Sequence, residues 1–238
     1  MLKFIVSLSV VCGVVFTSMA QDITLKANKD NALPKLNTYK KMDYFHLEAS
    51  WLTLLDKPDS VKVKPLSHSF SAYLSYPMQI GKSHFNFTPG IGISVDNIYT
   101  NSKVKLDTAS KLYLSPIASG ISYKMNKQTY GYLTAPITLN YFSNNDKNGK
   151  AWKASLGLRF NMLVNSHTKY KGNDDKGIAE KIKTFNIPYT NKYRVDAAFT
   201  IGYDWIYLTA NYSLTNYVAT GKGLQYHPFN IGIGVVGF

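Results

Sequence analysis

The stretch WKASLGLRFNMLV, residues 152–164, alternates without interruption. Trp152, Ala154, Leu156, Leu158, Phe160, Met162 and Val164 make one phase, and Lys153, Ser155, Gly157, Arg159 and Asn161 fall in the other. A period of two sorts residues onto the two faces of an extended strand and is incompatible with one face of a helix. Soluble sheets typically use strands of roughly five or six residues, whereas a tilted strand crossing a bilayer needs about ten. The same alternation recurs over residues 44–54, 69–80, 84–95, 133–141, 193–203, 205–214 and 229–238. Together these stretches predict eight long strands, each with charged or polar residues confined to one phase.

Alternation alone would also suit a soluble sandwich, so the connections matter. They alternate in length: about a dozen residues (DKPDSVKVKPLS), the tight turn GKSH, the long stretch 96–130, the turn SNNDKNGK, residues 165–192, a tight turn at Asp204, and 215–227. Short turns at one end and long loops at the other are the layout of an outer-membrane barrel, with turns in the periplasm and loops outside. Tyr44, Trp51, Tyr76, Tyr99, Tyr130, Tyr141, Trp152, Tyr193, Tyr203, Trp205, Tyr217 and Tyr226 fall near predicted strand ends. Amphipathic rings prefer the headgroup level, so they predict two girdles. No apolar run is long enough for a helical span.

The predicted class is therefore all-β, an antiparallel transmembrane barrel of eight strands. The segment 111–125 is ambiguous, and pairing it with a partner from the third loop would raise the count to ten. Residues 177–185, GIAEKIKTF, read as one or two amphipathic helical turns. Residues 1–20, MLKFIVSLSVVCGVVFTSMA, have the charged start, apolar middle and small-residue end of a secretory signal cleaved after Ala20. Residues 21–43 read as a polar periplasmic lead-in or a short plug, between which composition does not choose, and 44–238 as the barrel domain. The single cysteine, Cys12, leaves with the signal. No disulfide, metal site or cofactor is expected, because the five histidines are dispersed. Phe238 resembles the terminal aromatic signal read by barrel-assembly machinery. Its phase points inward unless the strand slips, which predicts a bulge at Val235 and Val236.

An eight-stranded barrel has an interior just wide enough for its own side chains. The inward phase carries Glu48, Lys153, Arg159, Arg194 and Asp196, including both arginines of the chain. The planar guanidinium fork suits buried carboxylates, so Glu48 and Asp196 are the expected partners in a lumenal charge network; a gated ion or proton path is the functional alternative. The long connections carry most of the +13 net charge. Their lysines, Lys62, Lys64, Lys103, Lys105, Lys124, Lys169, Lys171, Lys181 and Lys183, are candidates for an anionic ligand or the phosphates of lipopolysaccharide. Export excludes nucleic acid as a partner. Catalysis would have to use rim histidines, His68 beside Ser67 and Ser69, or His167 and His227; no spacing motif supports it, and no enzyme is expected.

The pieces FTPGIGISVDNIYT, YGYLTAPITLNYF and NIGIGVVGF resemble the PorT-like outer-membrane β-barrel proteins of Gram-negative Bacteroidota. The Tyr-Leu-x-x-Pro step of that family corresponds to Tyr132, Leu133 and Pro136, followed by Ile137, with Thr134 or Ala135 where an acidic residue is usual. The resemblance spans the mature chain. It implies a fold and a membrane, a multi-pass outer-membrane protein, rather than a reaction; the expected partners are outer-membrane lipids including lipopolysaccharide and the barrel-assembly machinery, with an envelope protein complex as a further candidate. The expected role is non-enzymatic envelope structure or recognition. The alternatives are a secretion-associated or narrow transport barrel, and an outer-surface lipid-modifying enzyme.

Overall fold

A computed structural model describes residues 43–174 and 176–237. The expected signal segment, the lead-in up to residue 42, and Phe238 lie outside the described residues. The described chain contains β1 (Phe45–Leu55), β2 (His68–Ser75), β3 (Met78–Gln79), β4 (Phe85–Tyr99), β5 (Ser102–Leu106), β6 (Leu112–Pro116), β7 (Tyr123–Phe142), β8 (Trp152–Asn173), β9 (Ala179–Phe185), β10 (Tyr193–Tyr203), β11 (Ile206–Ser213) and β12 (His227–Gly237). Eight of these form the wall. Antiparallel pairing runs β1, β2, β4, β7, β8, β10, β11, β12 and returns to β1. Closure leaves no sheet edge in the wall, which a lipid surround requires because unpaired backbone groups there have no water to bind.

The alternation becomes an inverted barrel. Leu156, Phe160, Phe70, Leu74, Ile91, Ile93, Leu208 and Ile233 face outward and are exposed, while Glu48, Arg159, Arg194, Asn161, Thr134 and Asn211 are buried in the lumen. At the turn end, rings meet across neighbouring strands: Tyr44 with Tyr76, Phe85 with Tyr141, and Trp152 with Tyr203. The Asp146 carboxyl in the β7–β8 turn accepts a hydrogen bond from Tyr203 and from turn N–H groups, which hold its pKa below the usual carboxylate value. Tyr130, Tyr217 and Tyr226 do not join a girdle. Each is about 1% exposed and lies inside the loop end.

Several predicted boundaries shift. Strand 69–80 breaks into β2 and β3 at Pro77, which has no N–H to give a ladder. Residues 96–99, 123–132 and 165–173 belong to strands, not to loops, so β7 reaches 20 residues and β8 reaches 22. That is about twice the length a bilayer needs. The surplus stands above the apolar band. Residues 111–125 add no wall strand: β6 pairs with β5 as a separate hairpin, and Tyr123 already begins β7. The expected helical turns at 177–185 are instead largely β9, laid along the outer end of β8 from His167 to Asn173. A strand partner supplies the backbone bonds that so short an isolated helix cannot hold.

The bulge is also elsewhere. β12 pairs without interruption through Val235 and Val236 with Leu47 and His46 of β1. The register slips instead between β7 and β8, where Gly131 pairs with Asn165 but Tyr132 pairs with Leu163. The extra residue, Val164, is 70% exposed. Below it the even-numbered residues of β8 face out; above it Ser166 and Tyr170 face in. One inserted residue thereby exchanges the faces of the upper half of β8.

Leu158 lies at mid-height of the apolar phase of β8 and faces outward. Leu158→Arg is expected to destabilise the barrel by about 2–4 kcal/mol, the usual cost of a cation at the bilayer midplane. Urea unfolding in lipid vesicles measures it, with Lys171→Arg, above the band, as an unaffected control.

Candidate functional site

The lumen is filled in tiers. In the lower tier β8 brings Arg159 across the barrel to Glu48 on β1, with Nη1 and Nη2 donating to the two carboxylate oxygens at 2.7 and 2.8 Å. Tyr207 donates to Glu48 Oε1 at 3.0 Å, and Arg159 Nη1 also donates to the Tyr73 hydroxyl at 2.8 Å. These tyrosines have room because each lies opposite a glycine in the ladder, Tyr73 opposite Gly92 and Tyr207 opposite Gly234. A methyl carbon at Gly234 would stand 2.2 Å from the Tyr207 ring. Gly234 of the closing strand is thus where the Tyr207 ring lies down.

In the upper tier Arg194 donates to Asp96 at 2.7 Å and to Asp196 at 3.0 Å. Its Nε also lies 3.0 Å from Asp196 Oδ1, close enough for an ion pair but misaligned for a hydrogen bond. Tyr217 donates to Asp96 at 2.6 Å, and the guanidinium lies between the rings of Tyr132 and Tyr217 at 4.4 and 5.2 Å. Asn161 joins the tiers by donating to Asp196 Oδ2 and to the backbone carbonyls of Arg159 and Arg194. Asp96 is fully buried. Its signal is local: the inward phase Ser94, Asp96, Ile98 continues past residue 95, where the apolar alternation fades. Tyr217 carries no such signal, because it lies in a connection and folds inward.

Above the ion pairs lies an apolar cap. Val61 from the β1–β2 connection, Leu112 and Leu114 from β6, Ile187 from the β9–β10 connection, and Tyr217, Val218 and Tyr226 pack on Leu52, Ile98 and Tyr130 of the wall. Tyr130 stacks on Tyr217 with centroids 4.4 Å apart. Below the lower tier the lumen keeps a small cavity. It measures about 60 Å³, is lined by Asp43, His46, Asn140, Phe142, Ser155 and Tyr207, and extends up to Arg159. Lys153 belongs to this mouth, where it pairs with Asp43, and not to the ion pairs above.

The rim histidines are kept apart. His68 lies against Phe70, while Ser67 and Ser69, its neighbours in sequence, turn inward as strand alternation requires. Ser67 Oγ exchanges bonds with the backbone of Tyr99. His227 pairs with Asp56, and His167 lies against Phe185. The candidate lysines divide as well. Lys103 is bound to Glu180 at 3.0 Å and lies over Tyr170, and Lys64 lies over Tyr123. Lys62 in the β1–β2 connection, Lys105 on β5 and Lys124 at the outer end of β7 are solvent-exposed and apart in the fold. Lys169, Lys171, Lys181 and Lys183 share one face of the β8–β9 extension.

A closed wall of eight strands, an apolar exterior and a charged interior agree with one comparison. A family model described as outer membrane protein beta-barrel domain matches residues 38–218, well over half of the chain. The chain belongs to that family. It is an integral, multi-pass outer-membrane β-barrel, and its short turns accordingly face the periplasm. Neither the curated proteins nor the solved structures contain a significant match to this outer-membrane barrel.

Removing one partner of the lower tier leaves a buried charge uncompensated. Arg159→Leu in this outer-membrane barrel is expected to cost about 3–5 kcal/mol, while the double change Glu48→Leu and Arg159→Leu costs far less. The midpoint of the heat-modifiable gel shift, measured for both single variants and the double, checks the coupling. Gly234→Val is expected to displace Tyr207 and destabilise by about 1–3 kcal/mol through overpacking.

Proposed function

We propose that this barrel is a sealed, non-enzymatic component of the outer membrane that acts through its outer surface, in envelope structure and in recognition of anionic groups. The observation that carries the reading is the stacking of the apolar cap directly on the Arg194 tier. Ions crossing the lumen would have to pass two guanidinium–carboxylate clusters and then a dry layer of tyrosine and leucine, each far costlier to cross than water. With the lumen so occupied, the surface above the membrane is what remains to meet other molecules. There the excess of lysine favours phosphate or carboxylate. Planar-bilayer recordings test this: no current steps are expected from the native chain, and none from the Arg159→Leu, Arg194→Leu double variant, because the cap stays in place. A steady current from the native chain overturns the reading.

A second reading, a secretion-associated barrel of the PorT-like kind, is favoured by the step Tyr132, Leu133, Pro136 and by the cavity at the turn end. Crosslinking from the turn end, followed by isolation of an envelope protein complex, tests it; a barrel recovered alone counts against it.

A further inference from the structure

Above the apolar band, β7, β8 and β9 continue as a three-stranded fin. Its register sets Lys127 directly opposite Lys169, and Lys169 directly opposite Lys183. Three lysines therefore stand abreast on adjacent strands, the Lys183 ammonium lying over the Phe185 ring at 4.3 Å, with Lys171 and Lys181 paired in the next row. Like charges placed directly opposite one another destabilise a sheet, and among the described residues of this face no acidic partner offsets them. The only glutamate described in the fin, Glu180, falls on the opposite face and is bound to Lys103. At the hairpin tip the Asp174 carboxylate accepts the N–H groups of Lys176 and Ile178.

Lysines on β9 alone would have an ordinary explanation, since charge on an edge strand deters pairing with other chains. Lys127 and Lys169 are not on an edge. β7 and β8 each have a strand on both sides at these positions, so edge protection does not account for them.

The direction of the face is informative. On β7 the outward phase runs from Leu139 and Leu133 through Thr129 to Lys127, and on β8 the Val164 bulge puts Lys169 and Lys171 on that same outward side. Without the bulge these two lysines would point across the barrel mouth. The row thus looks sideways, directly above the lipid-facing surface. At the usual rise and tilt of barrel strands it stands about 10–15 Å above the wall row at Leu133 and Met162, with the exposed side chains of Val164 and Phe185 on the outward surface between them. That is headgroup depth. Lys127 is further held by Asn97 Oδ1 at 2.9 Å, and burial together with Lys169 and Lys183 draws its pKa below the ordinary lysine value. Burial and the same three lysines lower the pKa of His167, one row down.

We propose that Lys127, Lys169 and Lys183, with Lys171 and Lys181 above them, form a binding face for the phosphate groups of an outer-leaflet glycolipid. The proposal rests on the recognition reading above and gives it a ligand class and a place. Phosphate oxygens entering the row relieve the repulsion between the lysines and accept charge-assisted hydrogen bonds from neighbouring strands.

The test uses the full chain purified in detergent, with bis-phosphorylated lipid A as the probe and native mass spectrometry as the readout. The native barrel is expected to retain the lipid. The triple variant K127Q/K169Q/K183Q is expected to retain it roughly 100-fold more weakly at low salt, from the usual contribution of each lysine near an anionic surface. A K127R/K169R/K183R variant should restore retention, and K62Q/K105Q/K222Q, on other loops, should leave it unchanged. Heat-modifiable mobility reports folding of each variant, and the single change Lys169→Gln replaces the triple if the triple does not fold. Equal retention by the native and fin-variant barrels overturns the proposal, as does equal retention of dephosphorylated lipid A. Complete displacement by millimolar inorganic pyrophosphate also overturns it, by marking a general anion site. Loss in the loop variant with none in the fin variant sinks this site alone and leaves loop recognition standing; loss in neither variant ends both.

Discussion

Eight strands enclose a space that only side chains can fill, and in this chain the filling includes Arg159 and Arg194 against Glu48, Asp96 and Asp196. Two cations and three anions shut away from water would be prohibitive without mutual satisfaction. Much of the interior follows from that requirement. Tyr73, Tyr207 and Tyr217 are aimed at carboxylates, Asn161 bridges the tiers, and Gly92 and Gly234 make way for two of the rings. The two arginines are held differently. Arg159 takes a bidentate grip on one carboxylate, while Arg194 is shared between two and flanked by rings, so the upper tier carries the excess negative charge directly beneath the cap.

The wall is legible because lipid and lumen impose opposite demands on alternate residues. Period alone sorts Trp152 to Val164 into two faces, and Glu48, Arg159, Arg194 and Asp196 follow from the inward phase. Legibility ends where the outside medium changes. Above the membrane both faces of a strand may be polar, the period fades, and β7, β8 and β9 look like loop although their backbone pairing continues. Asp96 is lost at that boundary. Tyr130, Tyr217 and Tyr226 are misplaced for a related reason: an aromatic near a strand end fits a girdle or a cap equally well, and only loop packing decides.

The missing slip in β12 and the unforeseen slip in β8 share a cause. Parity alone cannot say which strand takes up an extra residue, because that depends on what the far half must present. β12 ends at the turn side with its described pairing regular through Gly237. β8 must pass from a wall strand paired with β10 to the centre of a fin paired with β9. Val164 lies at that handover, where Tyr193 opposite Met162 is the last β10 residue in register.

The two ends of the lumen are built to different rules, and this bears on what the barrel can do. At the turn end Asp43, His46 and Asn140, with Phe142 beside them, surround a small cavity. At the loop end tyrosine, leucine and isoleucine contributed by the connections and by β6 close the bore above the Arg194 tier. A barrel that merely needed a stable interior could have carried its charged filling up to solvent, as polar side chains at a mouth are cheaply hydrated. Several connections and a separate hairpin are instead committed to a dry lid. That arrangement fixes the loops relative to the wall, and a fixed loop end is what allows a row of lysines on the adjoining fin to hold one direction and one height above the membrane.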